Sequence, residues 1–387
     1  MSVGRQLVRM KSRRHFLSVL TALAAATSPL TDSLAANCDS WPDWITFREK
    51  FIQGDGRVVD YSADSHSTSE GQAYAMFFAL VANDRSTFDR LLSWTRANLA
   101  QGDLSARLLA WHWGRRIDGS WGVLDSNAAS DADLWLVYVL FQAARRWPDS
   151  SLQASAELMQ ARIQKELVIN VAGLGPVLLP GPQGFALKSG GWQLNPSYLP
   201  MPVLRGLATE VPSGVWTALA DSTVSMLESV TPQYLVPDWV AVSERGFVLD
   251  PAIGFKGGFD AIRTYLWAAM TPVEDPYRVR LLARMKGMTR LVEQLLVPPV
   301  MVDASSGRAQ GGSGPGGFSA ALLPFLEAVG ARSAARQQRL RIIAMGGVPS
   351  VYYEQALGLF ALGWMDQRFR FAPDGRLQWG VGSSCTM

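Results

Sequence analysis

Ten apolar segments with a period near 3.6 residues constrain this chain more than any other feature. They cover residues 70–81, 88–99, 130–146, 152–171, 215–230, 260–270, 276–296, 318–329, 333–344 and 351–369, and a shorter helical pattern precedes them at 41–51. Each reads as a helix that must bury a face, whereas the period-two alternation of strands is sparse. No break in composition separates them, so the pattern predicts one all-α domain. Helices paired around an axis, as a closed toroid, would bury so many apolar faces; an irregular multi-helix globule is the competing arrangement. Three long connections rich in Gly, Pro and Trp, at 104–127, 173–197 and 231–258, read as loops.

The first 36 residues stand apart from that pattern. Lys11, Arg13 and Arg14 make a basic start, 16–26 is a mainly apolar run, and Ser33-Leu34-Ala35 offers small residues for cleavage, which is the layout of a signal peptide. The apolar run is too short to span a bilayer. Ser12-Arg13-Arg14-His15-Phe16-Leu17 resembles a twin-arginine export signal, with the general secretory route as the alternative. Asn37, not a cysteine, follows the small residues, which argues against a lipid anchor. The expectation is a single domain at 37–387, periplasmic or secreted, with no membrane anchor after cleavage.

Removing the leader also changes the charge. The whole chain is +3, but the leader holds five Arg/Lys and one Asp, leaving 31 bases against 32 acids. That balance gives no basic footprint for nucleic acid. The two cysteines, Cys38 and Cys385, stand near the ends of the exported portion, where an oxidising compartment would allow a bridge. Two free thiols are the alternative, since spacing alone says nothing of bridging geometry.

Several chemistries are disfavoured. His15 leaves with the leader, and His66, His112 and two terminal cysteines do not make a usual zinc site, so neither a metal nor a cofactor is expected. Those two histidines read as structural or substrate-facing. Gly311-Gly312-Ser313-Gly314-Pro315 breaks the Gly-x-Ser-x-Gly pattern at its last position. The run from Gly312 to Gly317 matches Gly-x-Gly-x-x-Gly but lacks a preceding apolar strand and a ribose-binding acid, and reads as a flexible loop.

Carboxylate chemistry beside aromatics remains. Glu70 stands where a polar segment turns into an apolar helix, and Ser67-x-x-Glu70 fits a capping box, its ordinary reading. Asp131 and Asp260 open helical segments in the same way, so three such starts could share one face. Of fourteen tryptophans, Trp111, Trp113, Trp121, Trp192 and Trp239 fall in the polar connections. Burial is the default for each. A row of them beside acids also suits sugar rings, whose C–H faces stack on indoles while their hydroxyls meet carboxylates.

Three motifs then carry a resemblance. Thr68-Ser69-Glu70-Gly71-Gln72-Ala73-Tyr74, Ala129-Ser130-Asp131-Ala132-Asp133-Leu134-Trp135 and Phe259-Asp260-Ala261-Ile262-Arg263, in this order, resemble glycoside hydrolase family eight. Within it, the chain is similar to exported cellulases that accompany bacterial cellulose synthesis, with further likeness at 178–185, at Asn195-Pro196-Ser197-Tyr198, at Pro237-Asp238-Trp239 and at 317–326. One departure is Val137, where the family pattern usually has a small residue. The resemblance implies an (α/α)6 barrel with a substrate groove across one end, and hydrolysis of β-1,4-glucan with inversion. It assigns Glu70 as general acid, Asp260 as general base and Asp131 as an acid touching the sugar at the cleavage point. Tyr198 would orient the attacking water or pack in the core. Arg263 would pair with Asp260 or form a surface ion pair, and Asp133 is set aside as structural. Trp111, Trp113 and Trp239 are the stacking candidates.

Inversion needs one carboxyl protonated and the other ionised. A helix N-terminus favours the charged form, which suits Asp260 but opposes Glu70. The expectation is that the charge of Asp131, with partial desolvation, lifts the pKa of Glu70. The expected partner is a β-1,4-glucan chain, with the cellulose synthesis and secretion apparatus as a further partner implied by resemblance. Hydrolysis of chitosan, lichenan or xylan, a non-catalytic glucan-binding component, and a polysaccharide lyase are the competing functions.

Overall fold

The structure, a computed structural model, describes residues 41–380. The leader, Cys38 and Cys385 lie outside the described residues. Among the described residues thirteen α-helices follow one another: α1 (Pro42–Phe51), α2 (Ser69–Val81), α3 (Arg85–Asn98), α4 (Ser130–Arg146), α5 (Ser150–Leu167), α6 (Met201–Glu210), α7 (Trp216–Val230), α8 (Ala261–Met270), α9 (Arg278–Ala283), α10 (Lys286–Leu295), α11 (Gly316–Ala328), α12 (Arg332–Ala344) and α13 (Tyr352–Met365).

Burial sorts them into two rings. Every residue of α8 is buried, as is every residue from Gly71 to Leu80 in α2 and from Gly316 to Leu326 in α11. Helices apolar all round belong inside. By contrast α12 buries only Ala334, Ala335, Gln338 and Ile342, one stripe at helical spacing, as an outer helix should. The inner helices pack in the order α2, α4, α6, α8, α11, α13. Phe360 of α13 closes the ring on Phe77 and Phe78 of α2, at 5.2 and 4.6 Å between ring centroids. Each inner helix is preceded by an outer one, with α9 and α10 sharing one outer place, which gives the (α/α)6 toroid.

The axis is filled by aromatic rings. Phe77, Trp135, Trp267 and Phe360 meet at 5.0 to 5.4 Å, and Tyr74 stands edge-on above Trp135 and Phe360. A C-terminal hairpin, Phe369–Phe371 with Leu377–Trp379, plugs the other end. There Tyr138 donates to Gly375 O at 2.7 Å, and Phe369 packs on Phe77.

Three departures from the sequence pattern have physical causes. Helix α6 was hidden by Pro200, Pro202 and Gly206. Both prolines fall at its N-terminus, where a missing N–H is harmless, and a Cβ at Gly206 would lie 2.4 Å from the Tyr138 ring of α4. The 276–296 pattern is two helices broken at Arg284-Met285, and the 152–171 pattern stops at Leu167, whose continuation pairs as a strand.

The long connections are not plain loops. They hold most of thirteen short strands: β1 (Ser67–Thr68), β2 (His112–Arg115), β3 (Trp121–Asp125), β4 (Val168–Val171), β5 (Gly175–Leu178), β6 (Trp192–Leu194), β7 (Val240–Ser243), β8 (Gly246–Val248), β9 (Lys256–Gly257), β10 (Pro299–Asp303), β11 (Arg308–Ser313), β12 (Phe369–Phe371) and β13 (Leu377–Trp379). Most are too short to show alternation. They pair antiparallel in three-stranded sheets β1-β2-β3, β6-β7-β8 and β11-β10-β9, and in two hairpins. The segment read as a flexible loop from Gly312 is the end of β11 and the first turn of α11.

Candidate active site

Strand β1 delivers Glu70. Ser67 pairs with Trp113 and Thr68 with His112, and the N–H of Ser69 donates to Trp111 O at 3.0 Å, which steers the chain into α2. Thr68 caps the helix, its hydroxyl accepting from Gly71 N at 3.1 Å. The expected Ser67–Glu70 capping box therefore does not form. Ser67 is buried, donating to Val58 O at 2.5 Å and accepting from Arg57 Nε at 2.8 Å. Glu70 is released from capping; among the described side chains it receives the Ser69 hydroxyl at 3.2 Å.

Asp131 is the second residue of α4 and fully buried. It accepts from Ala132 N at 2.9 Å and from the Tyr74 hydroxyl at 3.3 Å. Asp260 precedes α8 and accepts from Arg263 Nη2 at 2.8 Å; the same nitrogen lies 3.9 Å from Asp131. Arg263 is 8 % exposed, so the pair belongs to the interior of the site and not to a surface. It also donates to Ser197 Oγ at 2.9 Å and sits 5.8 Å from the Tyr198 ring. Three acids far apart in sequence thus converge at one end of the inner ring, each carried by a different helix start.

Burial shifts the protonation of Glu70 and Asp131. It pushes Glu70 above the usual glutamate range, with the charge of Asp260 adding, against its own backbone N–H, Arg263 and Ser69. Asp131 is pushed up as well, first by burial and then by Glu70. Of the two causes expected for the lift on Glu70, desolvation leads, and the charge that adds to it is that of Asp260 where Asp131 was expected. Asp133 is buried beneath, accepts Leu109 N at 3.1 Å and is likewise pushed up by burial, so its place is in the framework of the 104–110 segment.

Aromatics stand on the connections around the acids. Trp239 is half-buried, parallel to Phe185 at 5.9 Å and 6.2 Å from Tyr198. Trp111 is half-buried and stacks on His112 at 4.5 Å. His112 Nε2 and His66 Nδ1 are 2.8 Å apart, one hydrogen-bonded pair behind that indole. Trp113 is 9 % exposed, between Trp94 and Trp121 with the Arg57 guanidinium 4.4 Å from its ring, which leaves little of it for a ligand. Phe185, Phe259 and Tyr353 were not singled out in the sequence. Phe259, 46 % exposed beside Asp260, packs 6.0 Å from Tyr353, whose hydroxyl donates to Phe259 O. Adjacency to Asp260 was the one available signal.

The comparisons with known proteins agree with this geometry. A family model described as glycosyl hydrolases family 8 matches residues 17–367. An endoglucanase of Xanthomonas axonopodis pv. citri (strain 306) is 43% identical over 372 residues, covering 95% of this chain and 96% of its own. An endoglucanase of Escherichia coli (strain K12) is 42% identical over 355 residues, covering 91% and 94%. The crystal structure of endo-1,4-D-glucanase from Vibrio fischeri ES114 superposes with a TM-score of 0.82 at 39% identity, covering 88% of this chain and 99% of that one. The chain belongs to glycosyl hydrolase family 8 and is a glycoside hydrolase built on an (α/α)6 barrel.

Proposed function

We propose that the protein is an exported endo-1,4-β-glucanase that hydrolyses cellulose-type β-1,4-glucan with inversion. One observation carries this reading: Glu70 is pushed up by burial, while Asp260 is ion-paired to Arg263 at the same end of the barrel. Two carboxyls in unlike settings are what a single-displacement hydrolysis requires.

In this mechanism Glu70 gives its proton to the glycosidic oxygen as the C1–O bond breaks. Asp260 takes a proton from the water that attacks C1 on the opposite ring face. Arg263 holds Asp260 in place, and Tyr198, against that guanidinium, helps orient the water. Burial favours the neutral form of Asp131, so it donates a hydrogen bond to the sugar at the cleavage point. Trp239 and Trp111 supply stacking faces along the groove.

The names of the relatives support endo-action on β-1,4-glucan. Solved structures named for β-1,3-1,4-glucanase and xylanase are 17% and 15% identical and share the fold alone, so lichenan and xylan remain competing substrates to test. The leader-like start supports export to the periplasm or beyond, and the resemblance to cellulases of cellulose producers supports a role in trimming glucan during its synthesis and secretion.

The test is carboxymethylcellulose hydrolysis by wild type, Glu70→Gln and Asp260→Asn, following viscosity and new reducing ends together. Rapid viscosity loss with few new ends, abolished in both variants, is the expected result. A wild type inactive on this substrate, lichenan, chitosan and xylan, yet retained by glucan, would instead make the protein a binding component of the secretion apparatus.

A further inference from the structure

One buried carboxylate in this region has no part in the mechanism above. Asp238, 6 % exposed, lies in the connection between α7 and β7. Its N–H donates to Lys256 O at 2.7 Å. Its Oδ1 accepts two backbone N–H groups, from Gly258 at 2.7 Å and from Ala261 at 2.8 Å. Ala261 is the first residue of α8, so its N–H is one of the donors that a helix leaves without an intrahelical partner.

The residue expected to satisfy that end is the one at the cap position, and aspartate is among the best caps. Here that residue is Asp260, and it makes no capping bond. Its carboxylate turns to Arg263. Asp238 does the capping from another connection. The fit is built into the backbone: a Cβ at Gly257 would lie 2.1 Å from Val236 O, and one at Gly258 would lie 3.3 Å from Val300 O and 3.5 Å from Asp238 Oδ2. Gly257 thus lets the 236–238 segment lie directly against the residues that lead into α8. Gly258 O in turn accepts from Ile262 N at 3.0 Å, tying the first turn to the capped residue.

We propose that Asp238 is a positioning residue for the base: by capping α8 in trans it frees Asp260 from capping and fixes the direction in which its carboxylate faces the site. This rests on the reading of Asp260 as general base. The next residue, Trp239, stands in the aromatic wall, so the same short segment fixes both the base and a stacking face.

Because both N–H groups reach one oxygen, asparagine can keep the cap while removing the charge, and alanine cannot. The experiment measures kcat and KM on carboxymethylcellulose for wild type, Asp238→Asn, Asp238→Ala and Asp260→Asn, with a melting curve for each. For Asp238→Ala, kcat falls about a hundredfold, the scale of an ångström-sized misplacement, while KM stays within about threefold. Asp238→Asn recovers at least about a tenth of the wild-type kcat, the loss set by a weaker, uncharged acceptor.

A wild-type kcat in Asp238→Ala would overturn the proposal. So would a loss in Asp238→Asn as deep as in Asp238→Ala, which would show that the charge and not the cap matters. If Asp238→Ala melts below the assay temperature, Asp238→Ser is read by the same criteria, since its short hydroxyl does not reach both N–H groups. An active Asp260→Asn would remove the base reading itself, whereas an inactive Asp260→Asn beside a fully active Asp238→Ala removes only the cap.

Discussion

Desolvation of Glu70 opposes three effects that favour its charged form. It is the second residue of α2, where the helix end favours a carboxylate, and Ser69 and Arg263 favour that form too. Burial still pushes it up. With Glu70 as the proposed acid, activity is full below its pKa and is lost as pH rises through it, so the alkaline limb of the pH–rate profile is expected to follow Glu70. Asp131 is itself pushed toward its neutral form by burial, so Asp131→Asn removes no charge beside Glu70 and is expected to leave that limb in place, above the ordinary glutamate range. A limb that returns to the ordinary range would rank charge above burial.

The same variant has a stability consequence. Asp131 has a folded pKa raised above its unfolded value, so the native state holds the extra proton. Its contribution to stability therefore falls as pH rises from the ordinary aspartate range through the raised value. At neutral pH Asp131→Asn is expected to raise Tm by at least about 2 °C while lowering activity; an unchanged or lower Tm would contradict that burial penalty. At this scale the identities Glu70, Asp131, Asp260 and Arg263 were legible, because each sits at or near a helix start beside a recognisable motif. Burial was not legible, since it depends on what the other helices bring.

Among the elements, long apolar helices such as α2, α4 and α11 were visible because they are apolar, and buried, over most of their length. Helix α6 was not, because prolines and a glycine that usually mark breaks serve its start and its contact with α4. Gly206→Ala should overpack that contact and cost about 1–3 kcal/mol in a chemical denaturation measurement. A cost near zero would mean that Tyr138 moves aside freely. The starts of α8 and α11 show a second limit on sequence reading. Both are capped by carboxylates from distant segments, Asp238 for α8 and Glu354, which accepts Gly317 N at 2.8 Å, for α11. A local capping rule looks only a few residues along the chain and does not reach Asp238 or Glu354; at α2 the cap is local but is Thr68, because the Ser67 hydroxyl is held by Val58 O and Arg57 Nε.

For the whole molecule, the toroid was the architecture that so many apolar helices suggested, and its closure depends on contacts no single segment reveals, such as Phe360 of α13 on Phe77 and Phe78 of α2. The aromatic column beneath Tyr74 gives the acids a packed floor on one side, while Trp111 and Trp239 stand just before strands β2 and β7 on the connections. Trp113 shows what composition misses: tryptophans in the polar connections divide between half-buried rings such as Trp111 and Trp239 and packed ones such as Trp113, and only burial separates them. The direct test of an acid at Glu70 and a base at Asp260 is the anomeric configuration of the first sugar released from a cello-oligosaccharide, followed by proton NMR before mutarotation. The α-anomer is predicted, from attack by water on the face opposite the departing oxygen. Initial release of the β-anomer would mean double displacement through a carboxylate nucleophile, and would contradict the roles given to both residues.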